Sequence, residues 1–259
     1  IKCLSCNEVS LIQDICPKCK SNKLDFVSLP CQNCISSLKK ETLNLIKILT
    51  TDLQIRRENI LVSFSGNDGF HLYVANSAYN TLGSKERSDL SDYIMFRRAI
   101  PEAFGFKKAN PSRSLLPELA EPGWRGRVAT SLFGSKSNRS KGVTKIISDG
   151  YHAYRQRLEE MGKNSIGIRI DPNVTVDIHR IFRLEGSLNS KSGLVKLACE
   201  NIEKFSPYTE ACLIDDKPVE VLANCPIVFR LKNKKFGPYA NETVSIPKFT
   251  AVYMICKGI

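Results

Sequence analysis

The 259 residues of this chain are enough for one large domain, or for one domain with a small appendage, around a substantial hydrophobic core. Apolar residues make up 42% and charged residues 25%, which excludes a disordered or fibrous chain, and no apolar run is long enough to span a membrane. The formal net charge of +12 favours a polyanionic partner such as nucleic acid, a nucleotide or an anionic membrane surface.

The first 34 residues contain six of the ten cysteines, arranged as three Cys-x-x-Cys pairs. Because no leader with a basic start and an apolar core is visible, this spacing indicates metal ligation in a reducing compartment, with two disulfides or free thiols as the alternative. Two pairs supply the four thiolates of a tetrahedral structural zinc site: Cys3, Cys6, Cys16 and Cys19.

The third pair, Cys31 and Cys34, stands directly before a predicted helix and lacks two ligands in this chain. The missing ligands of a second zinc site can come from upstream of Ile1, where we expect a further segment. Residues 1–34 are therefore predicted to form a zinc-binding element, separate from a main domain over residues 35–259.

Apolar residues at helical spacing predict an amphipathic helix from residue 35 to about Thr51. Two strands are predicted over residues 59–64 and 70–74, joined by a turn over residues 65–69. His71 follows this turn and can bond a phosphate oxygen, together with backbone N–H groups of the turn. On this segment alone, a half-buried strand histidine in an ordinary hairpin is the simpler interpretation.

Residues 80–96 are predicted to form an exposed helix, and residues 97–145 a loose stretch rich in Pro, Gly and Arg. This basic stretch has eleven basic residues against three acidic ones, which fits either a template-binding surface or a solvated, partly disordered loop. Trp124 within it is predicted to be a core anchor rather than a base-stacking platform.

Asp149 is a plausible N-cap for a helix over residues 151–161, which Gly162 is predicted to end. A strand over residues 166–170 is then predicted to deliver Asp171 at its end.

Short strands are predicted over residues 219–231 and 244–246, and a packed helix over residues 249–256. These elements together predict a mixed α+β fold class.

Asp171 begins a second group of residues that can carry chemistry. A carboxylate at a strand end can hold Mg²⁺ or Mn²⁺, while basic residues behind it can neutralise a triphosphate. By composition alone the segment could equally be a solvated basic edge. The other members of the group are Thr175, Asp177, His179, Arg180, Arg183, Ser187, Lys191 and Gly193.

Two separated stretches resemble the small catalytic subunit of archaeal and eukaryotic DNA primase. The first is Val62-Ser-Phe-Ser-Gly-Asn-Asp-Gly-Phe-His71, which is similar to the family's Phe-Ser-Gly-Arg-Arg-Gly-x-His strand and turn. The second is Asp171-Pro-Asn-Val-Thr-Val-Asp-Ile-His-Arg-Ile-Phe-Arg-Leu-Glu-Gly-Ser-Leu-Asn-Ser-Lys-Ser-Gly193, which is similar to the family's Asp-x-x-Val-Thr-x-Asp-x-x-Arg-Leu-x-Arg-x-Pro-x-Ser-Leu-His-Gly-Lys-Thr-Gly run. In order and spacing, the resemblance covers nearly the whole chain.

The resemblance implies an archaeal-eukaryotic primase fold, with mixed sheets flanked by helices and an N-terminal zinc ribbon. It also implies DNA primase chemistry, in which a primer 3′-hydroxyl attacks the α-phosphate of an incoming nucleotide with the help of two Mg²⁺ or Mn²⁺ ions. Asp171 matches the third catalytic carboxylate of the family, and Ser65 and His71 match its nucleotide-phosphate contacts. Arg183 matches a basic triphosphate contact, and Lys191 is retained from the Ser-Leu-His-Gly-Lys run.

The partners implied by the resemblance are a primase large subunit in a heterodimer, a single-stranded DNA template and nucleoside triphosphates, with no membrane. The implied location is the cytoplasm, in association with the nucleoid.

Three features depart from the family pattern. The first two carboxylates of the family form an Asp-x-Asp pair, whose position falls before Ile1. The paired arginines of the turn are Asn67 and Asp68 here, and the carboxylate of Asp68 should repel a triphosphate at close range. The histidine of the Ser-Leu-His run is Asn189, whose amide can donate a hydrogen bond but carries no charge.

Two functions follow from these observations. The first is a primase catalytic subunit that makes short primers on a single-stranded template. The second is a non-catalytic zinc-containing module of the same fold that binds nucleic acid or a replication partner. A zinc-ribbon regulator unrelated to primases would leave residues 171–193 unexplained.

Overall fold

The structure is a computed structural model and describes residues 1–75, 78–108, 112–113 and 115–259. It mixes helices and strands, which confirms the predicted α+β class. The chain divides into two compact units, one made of Ile1–Lys39, Leu61–Tyr73 and Phe182–Ile259 and the other of Lys40–Ile60 and Val74–Ile181. Residues 1–34 lie within the first unit, and their standing as a separate element remains a prediction.

The cysteine-rich start of the first unit has little regular structure. The short strands β1 (Lys2–Cys3) and β2 (Leu24–Asp25) pair antiparallel, with Cys3 opposite Leu24. Helix α1 (Gln32–Thr51) ends where the periodicity predicts but begins three residues earlier, directly after Cys31, so Cys34 lies in its first turn.

A three-stranded sheet carries the predicted hairpin of the first unit. Strands β3 (Ile60–Phe64), β4 (Phe70–Val74) and β5 (Leu197–Ala198) lie in the order β4-β3-β5. The rings of Phe64, Phe70 and Phe205 pack together with centroids 5.9 to 6.1 Å apart. Edge-to-face and tilted aromatic pairs stabilise packing. Because Phe64 ends β3 and Phe70 begins β4, this cluster holds together the two ends of the turn that joins the strands.

The C-terminal part of the first unit confirms the strands and the helix predicted there. The other elements of this part are α6 (Pro207–Glu210), β6 (Pro218–Cys225), β7 (Phe229–Leu231), β8 (Lys234–Phe236) and β9 (Tyr239–Pro247). Strand β6 pairs antiparallel with β9, and β7 with β8. Helix α7 (Lys248–Lys257) packs on β6 and β9 and buries Phe249, Tyr253 and Met254.

The second unit is mainly helical. After the C-terminal part of α1 it contains α2 (Ser84–Ile94), α3 (Gly123–Phe133), α4 (Lys136–Asn164) and α5 (Pro172–Val176), with short 3-10 turns at Arg57–Asn59, Ala78–Thr81 and Pro101–Phe104. Helix α2 packs against α5, and α3 against α4. Within the described residues, no helix of the chain is both long and apolar enough to cross a membrane.

The prediction of a loose stretch is wrong for residues 123–145, which form α3 and the start of α4, whereas the described residues between 97 and 122 contain only the 3-10 turn Pro101–Phe104. Ala129 and Phe133 of α3 are four residues apart, Val143 and Ile146 of α4 are three apart, and all four are buried, so each helix turns an apolar face to the core. Trp124 is buried against Phe96, with ring centroids 4.7 Å apart, and this confirms it as a core anchor.

Two further predictions in this unit are corrected. Asp149 does not cap a helix that ends at Gly162. It lies before a break at Gly150, which has a φ of 85°, it pairs with Arg157, and the helix after the break runs to Asn164. Gly162 is needed for another reason, since a Cβ there would lie 2.7 Å from the carbonyl oxygen of Phe96.

No strand forms over residues 166–170, contrary to the prediction. The backbone N–H of Ile168 instead donates to the carbonyl of Ile94, the last residue of α2, at 3.2 Å. The segment therefore satisfies the carbonyl at the end of α2, and among the described residues no strand pairs with it.

Candidate functional site

The four cysteines predicted to hold zinc come together in the first unit. Their Sγ atoms all lie within 4.8 Å of one another, with Cys3 and Cys19 3.5 Å apart and Cys6 and Cys16 3.6 Å apart. Zn–S bonds of about 2.3 Å in a tetrahedron place thiolates roughly 3.8 Å apart, so the cluster has the size of a zinc site. A disulfide needs sulfurs at about 2 Å, and all four cysteines are free.

Backbone N–H groups favour the thiolate form that a metal takes. Ser5 donates to Cys3 Sγ at 3.4 Å, and Cys19 donates to Cys16 Sγ at 3.5 Å. Burial raises the pKa of Cys3, but the N–H donors of Ser5 and Cys6 outweigh it and lower that pKa to about 6. Backbone N–H groups thus favour negative sulfur on Cys3 and Cys16. At Cys6 and Cys19 the N–H donors lower the pKa but are outweighed by burial and neighbouring thiols, which raise it.

The third pair stands at the start of α1, where the N–H of Cys34 donates to Cys31 Sγ at 3.3 Å. Hydrogen bonds from Cys34 lower the pKa of Cys31. The residues that the structure describes add no third ligand atom at metal-site spacing. A second zinc at Cys31 and Cys34 remains a prediction.

The turn between β3 and β4 is closed by its own serine. The N–H of Ser65 donates to the carbonyl of Gly69 at 2.8 Å, and Ser65 Oγ accepts the N–H groups of Asn67 and Gly69 at 3.3 and 3.2 Å. Backbone N–H groups of the turn are predicted to donate to a phosphate. These two donate to Ser65 Oγ instead. Gly66 is required, because its φ is +86° and a Cβ there would lie 2.9 Å from the Cβ of Asn189.

The segment after Phe182 returns to this turn and brings three of the predicted residues together. Arg183 Nη1 and Asn189 Nδ2 each donate to the carbonyl of Ser65 at 3.2 Å. Asn189 is buried, and its Oδ1 accepts the backbone N–H of Lys191 at 2.9 Å. The amide that replaces the family's histidine therefore holds the turn and positions Lys191.

His71 lies half-buried on β4, beside the turn, with its ring edge-to-face against Phe182 at 6.1 Å between centroids. The hydroxyl of Ser192 also donates to the carbonyl of Gly66. Ser65, His71, Arg183 and Lys191 thus all belong to the first unit.

Two lysines at this site were missed by sequence reasoning. The ammonium of Lys196, a buried residue, donates to the carbonyl of Arg183 at 2.8 Å, which fixes the backbone under that guanidinium. Lys257, in the last turn of α7, donates to Asn67 Oδ1 at 3.0 Å and to Ser28 Oγ at 2.9 Å. No local pattern in the sequence predicts the role of Lys257, because it lies 190 residues from Asn67, its partner in the turn.

Asp171 lies in the second unit and caps α5 rather than ending a strand. Its Oδ1 accepts the N–H of Asn173 at 3.0 Å, and its Oδ2 lies 3.6 Å from Arg180 Nη1. The side chain is 51% exposed, so a ligand can reach the carboxylate. In the part of the chain that the structure describes, only the four cysteines gather three or more potential metal ligands.

Four arginines of the basic stretch in the second unit pair with carboxylates: Arg98, Arg125, Arg127 and Arg139. Arg127 makes two bonds of 2.6 and 2.8 Å to the carboxylate of Asp52, which also accepts the hydroxyl of Tyr93. Burial raises the pKa of Asp52, but the hydrogen bonds from Arg127 outweigh it and hold that pKa below its usual range. Arg125 pairs with Glu121 at 2.7 Å.

Comparison with known proteins identifies the family. A family model described as DNA primase small subunit matches residues 24–199. The DNA primase small subunit PriS of Nitrosopumilus maritimus is 55% identical over 257 residues, which are 99% of this chain and 69% of that protein. The PriS of Cenarchaeum symbiosum is 44% identical over 258 residues, with coverage of 100% and 69%.

The chain belongs to the DNA primase small subunit family. This confirms the predicted relationship, and with it primer synthesis in DNA replication by a DNA-directed nucleotidyltransferase. The match to the primase family includes the turn, Asp171, Arg183 and Lys191. The four-cysteine cluster and Lys257 lie outside residues 24–199, whereas the alignments with the two PriS proteins extend over 99% and 100% of this chain.

Proposed function

We propose that this primase small subunit binds an incoming nucleoside triphosphate at the β3–β4 turn and joins it to a primer on a single-stranded DNA template. The observation that carries the proposal is the convergence of Arg183 and Asn189 on the carbonyl of Ser65. Through it a guanidinium and the exposed side chain of Lys191 come to one small turn. Cations at such a turn suit a triphosphate, because charge-assisted hydrogen bonds to phosphate are strong.

Each residue at the turn has a donor to offer. Ser65 Oγ accepts two N–H groups, so its own proton can be donated to a phosphate oxygen. Arg183 uses Nη1 on the Ser65 carbonyl and keeps further N–H donors of its guanidinium for a ligand. His71, next to the turn on β4, is the fourth proposed phosphate contact. Together these groups orient the triphosphate.

Asp171 is proposed as one ligand of a catalytic Mg²⁺ or Mn²⁺. Its carboxylate is half exposed, oriented by the N–H of Asn173 and only loosely paired with Arg180, which fits the oxygen ligands that these ions prefer. When bound, such an ion stabilises the developing charge on the phosphoryl oxygens. The sequence contains no Asp-x-Asp pair. Asp171 is therefore proposed as only one of the ligands of the catalytic metal.

We further propose that Cys3, Cys6, Cys16 and Cys19 hold a structural zinc ion in a ribbon attached to a primase fold. The support is the spacing of the four Sγ atoms. The variant Cys16→Ser is expected to lower the zinc content of the protein by one ion per chain. An unaltered zinc content in that variant would contradict the site.

The partners follow from the primase family. We propose that the chain forms a heterodimer with a primase large subunit. This heterodimer would make primers on the single-stranded template. The activity is placed in the cytoplasm, at the replicating chromosome, because the template is found there.

The test is the variant Asp171→Asn, with Asp89→Asn, an exposed residue of α2 in the same unit, as the matched control. In the native protein with its large subunit, Asp171→Asn is expected to lower incorporation of a labelled nucleotide by more than about 100-fold, because a metal ligand is lost, with unchanged thermal unfolding. The control is expected to stay near the activity of the unaltered protein. Equal synthesis by Asp171→Asn would contradict the proposal.

A second outcome concerns the unaltered protein itself. Template binding without any nucleotide incorporation, with either Mg²⁺ or Mn²⁺, would favour the non-catalytic alternative. Saturable incorporation rules that alternative out.

A further inference from the structure

The β3–β4 turn has no cation of its own, since its residues 65–69 include an acidic residue and no basic one. A cation nevertheless reaches it from the C-terminal end of the molecule. We propose that Lys257 is a triphosphate-binding residue of the nucleotide site and supplies the positive charge that the turn lacks. This inference rests on the proposed nucleotide site.

The contacts of Lys257 leave its charge available. Its ammonium donates to two neutral oxygens, Asn67 Oδ1 at 3.0 Å and Ser28 Oγ at 2.9 Å. An ammonium has three N–H donors, so one remains for a ligand. Among the described residues no carboxylate lies within ion-pair distance of Lys257, whereas Lys248 at the other end of α7 pairs with Asp215 at 3.0 Å.

Asp68 takes part in this arrangement indirectly. Asn67 Nδ2 donates to its carboxylate at 2.6 Å, and Ser28 Oγ donates to both of its oxygens at 3.3 Å. The same two side chains accept from Lys257. Asp68 therefore orients the groups that hold the ammonium, and the anion expected to repel a triphosphate helps to fix a cation beside it.

The surroundings of Lys257 favour an added anion. Burial lowers the pKa of Lys257 and outweighs the opposing charges of Asp68 and Cys256, and the charge of Lys191 adds to the lowering. Two ammonium groups within interaction range repel each other, and a polyanion that meets both removes this cost. The phosphates of a nucleotide at the turn have that charge.

The principal experiment uses the variant Lys257→Met in the native protein with its large subunit. We expect the KM for the nucleoside triphosphate to rise about tenfold, the loss typical of one charge-assisted hydrogen bond, with kcat within about twofold of the unaltered value. Lys257→Arg is expected to recover most of the affinity, since it keeps the charge. Lys248→Met, on the same helix, is the matched control and should leave KM unchanged.

A second measurement needs no variant. Saturating nucleoside triphosphate is expected to protect the Lys257 amine of the unaltered protein from acetylation, relative to the amine of Lys248. Equal modification of Lys257 with and without nucleotide would overturn the proposal, as would an unchanged KM in Lys257→Met.

Nucleotide binding measured without a template separates this proposal from the one on which it rests. If Lys191→Met weakens binding and Lys257→Met does not, only the role of Lys257 is wrong. If neither variant weakens binding, the nucleotide site itself is wrong. If both weaken binding and Asp171→Asn still makes primers, the site and Lys257 stand, and the proposed role of Asp171 falls.

Discussion

Two regions of this chain are basic, and they use their charge in opposite ways. In the second unit, the arginines of α3 and of the start of α4 lie on carboxylates. Arg127 is 2.6 Å from Asp52, Arg125 is 2.7 Å from Glu121, and Arg139 is 3.5 Å from Glu118. These cations hold the fold together.

At the β3–β4 turn of the first unit, the cations lie on neutral oxygens. Arg183 donates to the carbonyl of Ser65, and Lys257 donates to the oxygens of Asn67 and Ser28. In the described part of the chain neither of them, nor Lys191, has a carboxylate within 4.0 Å. Their charge is not neutralised by a carboxylate, which is what the proposed nucleotide site requires.

The contrast shows what a count of basic residues can and cannot tell. The excess of positive charge in residues 97–145 predicts affinity for a polyanion, but four of its eleven basic residues are paired with carboxylates and have little left to offer a phosphate. The three cations at the turn are fewer, yet they are better placed. The partner of a basic residue, rather than its number, locates the candidate site.

The largest effect that we expect is a loss of stability when a charge pair of the second unit is broken. The variant Asp52→Asn leaves Arg127 without its partner in a largely buried position, so the free energy of unfolding in urea should fall by about 3 kcal/mol. Glu58→Gln, which removes an exposed pair with Arg56, is the control and should cost at most about 0.5 kcal/mol.

The same pair predicts a dependence on pH. Because the folded pKa of Asp52 is held low, its contribution is fully present above the unfolded value of about 3.9 and is lost as pH falls through the folded value. The stability difference between the unaltered protein and Asp52→Asn should therefore shrink below about pH 4. A difference that stays constant down to pH 2 would mean that the carboxylate charge contributes nothing.

Much of the fold follows from periodicity. Helix α1, the β3–β4 hairpin, α2 and α7 are predicted close to their observed bounds, because their apolar residues recur at the spacing of a helix or a strand. Residues 97–145 are predicted to be a loose stretch because Pro, Gly and Arg separate the apolar residues that the structure buries in α3 and α4. Ile166, Ile168 and Ile170 alternate as in a strand, but a strand needs a neighbour, which no local pattern supplies.

The candidate site also contains residues that the sequence predicts and residues that it does not. Ser65, Arg183 and Lys191 are found by motif, and the structure brings them together at one turn. The roles of Asn189 and Lys257 depend on contacts between distant parts of the chain. The hydrogen bond from Lys257 to Asn67 joins residues 190 positions apart, which no local spacing predicts.

The most direct test compares one cation from each region in the same two assays. Nucleoside triphosphate affinity and thermal unfolding would be measured for Lys191→Met, at the turn, and for Arg139→Met, whose guanidinium holds the carbonyls of Leu116 and Pro117. Lys191→Met is expected to weaken nucleotide binding about tenfold at an unchanged unfolding temperature. Arg139→Met is expected to lower the unfolding temperature by several degrees, roughly the cost of 1 to 2 kcal/mol, at unchanged affinity. Weakened binding in Arg139→Met, with full affinity in Lys191→Met, would contradict the assignment of substrate binding to the turn.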